Sequence, residues 1–304
     1  MNKLQAFLLE NFVAFSINFR IVATTVIHIA TVHWNTDRWI APQSAFLRRH
    51  LKKDFRLYAW LNNIPQATTE PFYYCCQEPV VPHATKLNLL ADIILAAATS
   101  PDDVLIFLDG DAFPIADLEP RIFELLSTHK LIAVQRLEND GDCQPHPCFC
   151  VTTVGFWKAL KGDWNEGFCL RRAEGKAVTD VGANLLKQLR DQGIDWAPLL
   201  RSNTTNLHPV YFGIYGGLVY HHGAGFRQCQ TRFDRTLVKF DGREKVLSKI
   251  IPGYHRVAHR RRLGQIIEQN TSLSEKVFAT ILDDPEFHRQ FISLQQPDRF
   301  PQPA

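Results

Sequence analysis

The stretch that most constrains the fold is an apolar run that ends in two aspartates separated by a glycine. The residues from Val104 to Leu108 are all apolar, and Asp109, Gly110 and Asp111 follow them directly. An apolar run bounded by charges predicts a strand buried on both faces of a parallel sheet. Ligands bind outside the carboxyl ends of such strands, so both carboxylates are candidate ligands for Mg²⁺ or Mn²⁺. The competing interpretation is an ordinary turn, where Asp and Gly are common.

The segments around this run alternate between strand and helix patterns, and residues 67–82 read as a loop. Strands are predicted over 25–32, 55–61, 104–108, 131–135 and 210–220, and helices over 39–51, 84–99 and 118–129. Two β-α units precede the aspartates. This order predicts an α/β fold with a Rossmann-like, mostly parallel central sheet flanked by helices, followed by a helical C-terminal tail.

The 304 residues suffice for one large α/β domain. We expect an N-terminal extension at 1–24, a catalytic domain at 25–244 and the tail at 245–304. Charged residues interrupt the apolar residues of the extension, so no transmembrane helix or cleavable signal is expected. Seven scattered cysteines favour a reducing, cytoplasmic location. A net charge of +3 is too small to indicate a nucleic-acid partner.

Two adjacent histidines follow the last predicted strand and could complete a metal site. Neighbouring residues on a strand point to opposite faces, so at most one of His221 and His222 reaches the metal. We favour His222 because it opens the glycine turn at 223–225, although a core role is the alternative. Arg227 could bind a phosphate group bidentately, or it could form a surface ion pair.

An apolar strand that ends in Asp-x-Asp after two β-α units resembles the metal-binding motif of GT-A-fold glycosyltransferases. The late His-x-x-Gly followed by a basic residue is also similar to a feature of several nucleotide-sugar transferases of that fold. The resemblance covers about residues 26–227. The sequence departs from the glycogenin-like His-x-x-Gly-x-x-Lys pattern, because His222 and Gly225 fit but Gln228 replaces the lysine.

The resemblance implies a metal and diphosphate site. Asp111 would ligate Mn²⁺ or Mg²⁺, and Asp109 would hold the metal or the donor ribose. His222 would complete the metal shell, and Arg227 would neutralise the diphosphate.

The resemblance also implies the substrates. The end of the first strand, from Thr31 to Asn35, would line the nucleotide pocket, and Lys86 could reach the nucleotide. The implied activity is that of a hexosyltransferase, which moves a sugar from a UDP- or GDP-sugar to a glycan, lipid or small-molecule acceptor.

Two carboxylates are candidates for the base that an inverting transferase needs. Asp180 is the better placed, in Thr179-Asp180-Val181-Gly182 at the start of a predicted helix, although we expect it to act as the helix N-cap. Asp163 is the second candidate, and its neighbour Trp164 could stack on a sugar.

Two further clusters have simpler interpretations. Cys143, His146, Cys148 and Cys150 match none of the usual zinc spacings. Alternation sends Cys148 and Cys150 to the same strand face, and we expect buried free thiols. The basic run at 256–262 is expected to be a solvated helix face, with peripheral membrane contact as the alternative.

Two alternatives to a glycosyltransferase stay open. The first is a phosphohydrolase of the haloacid dehalogenase type, with Asp109 as nucleophile, Asp111 as acid and Asp283 with Asp284 as the metal pair. It ranks lower because two β-α units precede the aspartates. The second is a non-catalytic nucleotide-binding protein.

Overall fold

The computed structural model of the protein describes residues 25–64, 70–139, 141–171, 177–205, 208, 210–223, 226 and 232–292. The predicted extension at 1–24 lies outside these residues, as do Arg227, Gly225 and Gln228. Within the described ranges, the helices are too short or too polar to cross a bilayer.

A seven-stranded sheet forms the centre of the molecule. Its strands are β1 Ile27–Trp34, β2 Phe55–Asn62, β3 Tyr74–Cys76, β4 Val104–Asp109, β6 Leu131–Val134, β7 His146–Thr153 and β10 Ala197–Leu199. Their order is β10-β6-β7-β4-β1-β2-β3. Strand β7 runs antiparallel to β4 and β6, and the other pairs are parallel. The predicted mostly parallel sheet is confirmed.

Helices cover both faces of this sheet because its strands are apolar on both sides. They are α1 Ile40–His50, α2 His83–Ala97, α3 Leu118–Leu126, α4 Val154–Leu160 and α5 Ala183–Asp191. Helices α1 and α3 pack on the face that carries Ile27 and Ile106. Helices α2, α4 and α5 pack on the face that carries Ala30 and Phe107.

A smaller antiparallel sheet adjoins the end of β4. It contains β5 Ala112–Pro114, β11 Tyr211–Tyr215 and β12 Val219–Gly223 in the order β11-β12-β5. The single strand predicted over 210–220 is therefore a hairpin that reverses at Gly216 and Gly217. A separate short hairpin pairs β8 Leu170–Arg171 with β9 Ala177–Val178.

The C-terminal segment begins with α6 Arg232–Leu237, α7 Gly242–Ile250 and α8 Tyr254–Asp283, and continues into a 3₁₀ helix, Phe287–Phe291. Val277 and Ile281 from the second half of α8 pack with Phe287 against Phe113 and Tyr220 of the small sheet. This half of the predicted tail thus shares a core with the body, and the predicted boundary at 245 falls inside α7.

Candidate functional site

The two aspartates lie on the connection between the two sheets. Strand β4 is buried up to Leu108, and the chain turns at Gly110 before β5 joins the small sheet. A side chain at Gly110 would bring its Cβ within 2.6 Å of the Val32 carbonyl oxygen and 2.7 Å of His33 Nδ1. Glycine is therefore required for the connection to lie this close to the end of β1.

Gln43 of helix α1 holds the same connection in place through hydrogen bonds. Its amide nitrogen donates to the carbonyl oxygens of Asp109 and Ala112, both at 2.8 Å. Its amide oxygen accepts from the Thr31 hydroxyl at 3.2 Å. Because Gln43 is buried, these bonds are shielded from water and hold the aspartate backbone in place.

Asp109, Asp111 and His221 converge to form a ligand triad. His221 Nε2 lies 3.7 Å from Asp109 Oδ2 and 3.3 Å from Asp111 Oδ1. One ligand atom from each residue lies within 4.8 Å of the other two. His221 is buried and the two aspartates are partly exposed, so the triad borders solvent on one side.

His83, the first residue of α2, extends the cluster. Its Nε2 lies 3.1 Å from Asp109 Oδ1. Burial alone would raise the pKa of Asp109, but the hydrogen bond and charge of His83, with contributions from His221 and His146, lower it well below its usual range. Asp109 is therefore a carboxylate at neutral pH.

The other two triad members shift each other's pKa in opposite directions. Burial would raise the pKa of Asp111, but His221 lowers it below its ordinary value. Burial would lower the pKa of His221, but the Asp111 carboxylate raises it well above its ordinary value. Two anionic carboxylates supply oxygen donors of the kind that Mn²⁺ accepts, and His221 supplies a nitrogen donor when the ion displaces its proton.

His222 does not face the triad, and this corrects our choice between the two histidines. Alternation along β12 turns its ring to the opposite face, where it contacts Trp39 and Phe226 with centroid distances of 4.7 Å. Its Nδ1 lies 2.9 Å from the Tyr220 hydroxyl. Burial lowers the pKa of His222 to about 3, so its ring is a neutral part of an aromatic cluster.

A bulge in β7 brings a thiol to the triad. Ala133 pairs with Cys150 but the next residue, Val134, pairs with His146, so the register shifts between them. Cys148 and Cys150 consequently pack on opposite faces, and the expectation of a shared face was wrong. Cys148 lies close enough to His221 to raise the pKa of that histidine, and both cysteines are free and buried, as predicted. Bulges often redirect side chains in this way beside functional sites.

Lys86 lies one turn after His83 on helix α2. It is only 3% exposed, and burial alone lowers the pKa of its ammonium group, with no contribution from a carboxylate. Among the described residues, no acidic side chain forms an ion pair with it. A buried cation without a counter-charge is costly, and an anionic ligand would remove that cost.

The residues expected to line the nucleotide pocket differ in exposure. Thr31 is fully buried, so it supports the aspartates through Gln43 and does not border open space. Asn35 is exposed, has a φ of 60°, and its side chain accepts from Asn63 at 3.0 Å. Trp34 beside it is 56% exposed at the carboxyl end of β1.

Asp163 has the contacts of a structural carboxylate. It accepts hydrogen bonds from the Asn88 and Asn184 side chains at 2.7 and 2.9 Å and from the Asn165 backbone at 2.9 Å. Although burial opposes it, these bonds lower its pKa. Trp164 is fully buried against Phe107 and Trp157, so the expectation that it stacks on a sugar was wrong.

Asp180 is not the N-cap that we expected. The cap of α5 is Gly182, which has a φ of 89°, and a Cβ there would lie 2.3 Å from the Pro145 carbonyl oxygen. This close packing places the start of α5 beside the start of β7. The Asp180 carboxylate instead accepts from the Val181 amide at 2.8 Å.

Arg136 connects this region with the triad electrostatically. Burial opposes the charge of Arg136, but Asp142 raises its pKa, and Cys148 and Asp180 add to the rise. Arg136 and Asp142 form an ion pair at 3.2 Å. Asp180 therefore lies within electrostatic reach of a cation that also acts on the triad's neighbour Cys148.

Sequence reasoning missed Gln43 and His83, and it predicted Cys148 as a buried thiol without connecting it to this site. His83 and Lys86 are three residues apart at the start of a helix, and this spacing could have paired them. Gln43 and Cys148 carried no local signal, because one acts through two backbone carbonyls and the other through a bulge.

Comparison with known proteins places few constraints on this site. No family model and no curated protein matches the sequence. The chain is similar to two crystal structures of the glycosyltransferase GlyE from Streptococcus pneumoniae TIGR4, both with a TM-score of 0.36. Identity is 14% over 58% of this chain for one and 15% over 57% for the apo form. The chain spans 45% of each GlyE chain, and a likeness of this size does not identify an activity.

Proposed function

We propose that this protein is a metal-dependent glycosyltransferase that moves a sugar from a UDP- or GDP-sugar to an acceptor hydroxyl. The observation that supports the proposal most directly is the triad at the carboxyl end of β4, with the buried cation Lys86 on the adjoining helix. Such an edge of an open α/β sheet is where nucleotide ligands bind.

The triad residues would hold Mn²⁺ or Mg²⁺. Both carboxylates are ionised at neutral pH, as a cation site requires, and Gln43 fixes the backbone that carries them. When bound, the ion supplies positive charge for the diphosphate leaving group.

Lys86 would bind the diphosphate beside this ion. Its ammonium group lacks an acidic partner among the described residues, and a diphosphate would provide one. Arg227, which lies outside the described residues, is proposed to assist it. The exposed end of β1, at Trp34 and Asn35, is the proposed edge of the nucleotide pocket.

Asp180 is the proposed acceptor-side carboxylate. It is not committed to capping a helix, and it accepts only the neighbouring amide among the described donors. Asp163 is a weaker candidate because asparagine side chains and a backbone amide already occupy its oxygens. The proposed acceptor is a glycan, a lipid or a small molecule.

The decisive test is nucleotide binding by the whole protein. We expect Mn²⁺ together with UDP or GDP to raise the melting temperature by several degrees, and inorganic phosphate to have no such effect. Asp111→Asn should abolish the Mn²⁺-dependent part of the shift. Asp117→Asn is the matched control, because Asp117 is an exposed aspartate near the same connection.

Three outcomes separate the alternatives. Release of nucleotide from a UDP- or GDP-sugar in a donor screen supports the transferase. Turnover of p-nitrophenyl phosphate without a nucleotide-dependent shift favours the phosphohydrolase in which Asp109 attacks. Nucleotide binding without turnover of any donor favours a binding protein.

A further inference from the structure

Helix α7 carries an apolar stripe that faces solvent. The stripe consists of Val246, Leu247, Ile250 and Ile251, which are 55%, 36%, 69% and 46% exposed. Helical spacing places Val246, Leu247 and Ile250 on one side of α7, and Ile251 is the extended residue that follows the helix. Because four neighbouring aliphatic side chains face water, this surface is unlike the single exposed apolar residues of an ordinary protein surface.

The first turn of α7 is fixed to α8. Arg262 Nε donates to Glu244 Oε1 at 3.0 Å, and its Nη2 donates to Oε2 at 2.5 Å. Asp241 and Glu244 also form a capping box at the start of α7. These contacts hold the first turn of α7 on α8 and leave the stripe exposed. Val257 in the first turn of α8 is 70% exposed and adds a further aliphatic side chain to this end of the molecule.

Most charged residues in this segment are basic. Between residues 242 and 261 the sequence has six basic residues and one acidic residue. The basic residues, all exposed, are Arg243, Lys245, Lys249, Arg256, Arg260 and Arg261. The acidic residue, Glu244, is neutralised by Arg262. The surface therefore combines exposed aliphatic groups with an excess of positive charge.

We propose that α7 and the first turns of α8 dock on the surface of an anionic lipid bilayer. The stripe would enter the boundary between headgroups and acyl chains, and the lysines and arginines would remain at the level of the lipid phosphates. Exposed aliphatic side chains together with an excess of cations match both layers of such a surface. This docking is independent of the proposed transferase activity, since it uses no residue of the triad or its surroundings.

The test is co-sedimentation of the full chain with vesicles of phosphatidylcholine alone or with phosphatidylglycerol added. We expect binding to the anionic vesicles only. Lys245→Gln with Lys249→Gln should lower the partition constant about 25-fold, because each cation near an anionic surface contributes about fivefold. Val246→Ser with Ile250→Ser should lower it at least about tenfold through lost apolar burial.

Lys276→Gln with Leu282→Ser is the matched control, because it removes an exposed cation and an exposed aliphatic residue from the far end of α8. This variant should bind like the unmodified protein. Equal binding to neutral vesicles, or loss of binding in the control, overturns the proposal. So does a dimer in gel filtration that Val246→Ser with Ile250→Ser dissociates while vesicle binding is absent, since the stripe would then join two copies of the chain.

Discussion

At the scale of single residues, His221 and His222 occupy opposite faces of one strand. His221 contacts two carboxylates, whereas His222 packs among aromatic rings and keeps a neutral side chain. The pair therefore allows metal binding and packing to be separated by two substitutions at adjacent positions.

We expect His221→Ala to abolish the Mn²⁺-dependent rise in melting temperature, because it removes the nitrogen ligand of the triad. His222→Phe should retain that rise, because phenylalanine fills the aromatic cluster. Differential scanning fluorimetry with and without Mn²⁺ distinguishes the two variants. A lost Mn²⁺ response in His222→Phe, with a retained one in His221→Ala, would contradict the assignment.

Lys86 gives a prediction in which stability and binding change in opposite directions. Lys86→Met keeps the aliphatic length and removes a buried charge that no described carboxylate compensates. We expect the free energy of unfolding to rise by about 1 kcal/mol or more, and nucleotide affinity to fall about tenfold or more because a charged hydrogen bond is lost.

Urea unfolding and calorimetric titration with UDP or GDP in Mn²⁺ measure the two effects. Lys158→Met, on the exposed side of α4, serves as the control and should change neither quantity by much. If Lys86→Met leaves nucleotide affinity intact, Lys86 has no place in the diphosphate site.

At the scale of elements, the local pattern predicted the long strands and most helices. Strand β4 can be predicted from the sequence because five apolar residues precede a charged one. Strands β3 and β5 were missed because each has only three residues, and each exists through pairing with a partner distant in the sequence. The sequence pattern predicts one strand where the hairpin β11–β12 lies, because both of its arms are apolar and aromatic.

The residues of the site were also predictable only where a local sequence pattern marks them. Asp109 and Asp111 follow from the strand that precedes them. The choice of His221 over His222 depends on the register in which β12 pairs with β5, and this register places His221 opposite Ala112. Thr31 likewise points inward because of the phase of β1, which the sequence alone did not define.

The paired strands β1 and β4 also carry a buried histidine at the end remote from the triad. His28 Nδ1 lies 3.1 Å from the Tyr58 hydroxyl, and its Nε2 lies 3.5 Å from Asp103 Oδ2. Burial lowers the pKa of His28 below 6.5, and Asp103 only partly offsets this effect. The folded state therefore favours the neutral ring.

The lowered pKa of His28 determines how the stability of the protein changes with pH. With a folded-state pKa below the unfolded value of about 6.5, the unfolded chain binds more protons as the pH falls below 6.5. Stability from this residue is present above that pH and is lost on acidification, by at most about 1.4 kcal/mol per pH unit. We expect the stability of His28→Phe to fall less between pH 7 and 5 than that of the unmodified protein.

Urea unfolding at several pH values measures this slope. His129→Asn, at a half-buried histidine, controls for the loss of one imidazole and should keep the slope of the unmodified protein. A His28→Phe variant with an unchanged or steeper slope would show that His28 is not the group responsible.

At the scale of the whole molecule, the triad lies on the junction between two sheets. Asp109 ends a strand of the large sheet and His221 belongs to the small sheet. Asp111 lies on the connection between them, and its carbonyl oxygen accepts from the His222 amide at 3.0 Å. An ion bound by the triad would therefore join two separately hydrogen-bonded units.

This position has a consequence for the order in which the protein unfolds. Without an ion, the small sheet is attached through β5, the 3₁₀ helix, α8 and the packing of Tyr215 and Val219 into the core of the large sheet, and we expect it to open before the large sheet. With Mn²⁺, hydrogen exchange at the amides of β5 and β12 should slow markedly, while exchange in β2 and β3 stays the same. Hydrogen–deuterium exchange with mass spectrometry measures both, and Asp111→Asn should remove the difference. Uniform protection of all strands would contradict the idea that the ion makes two cooperative units unfold as one.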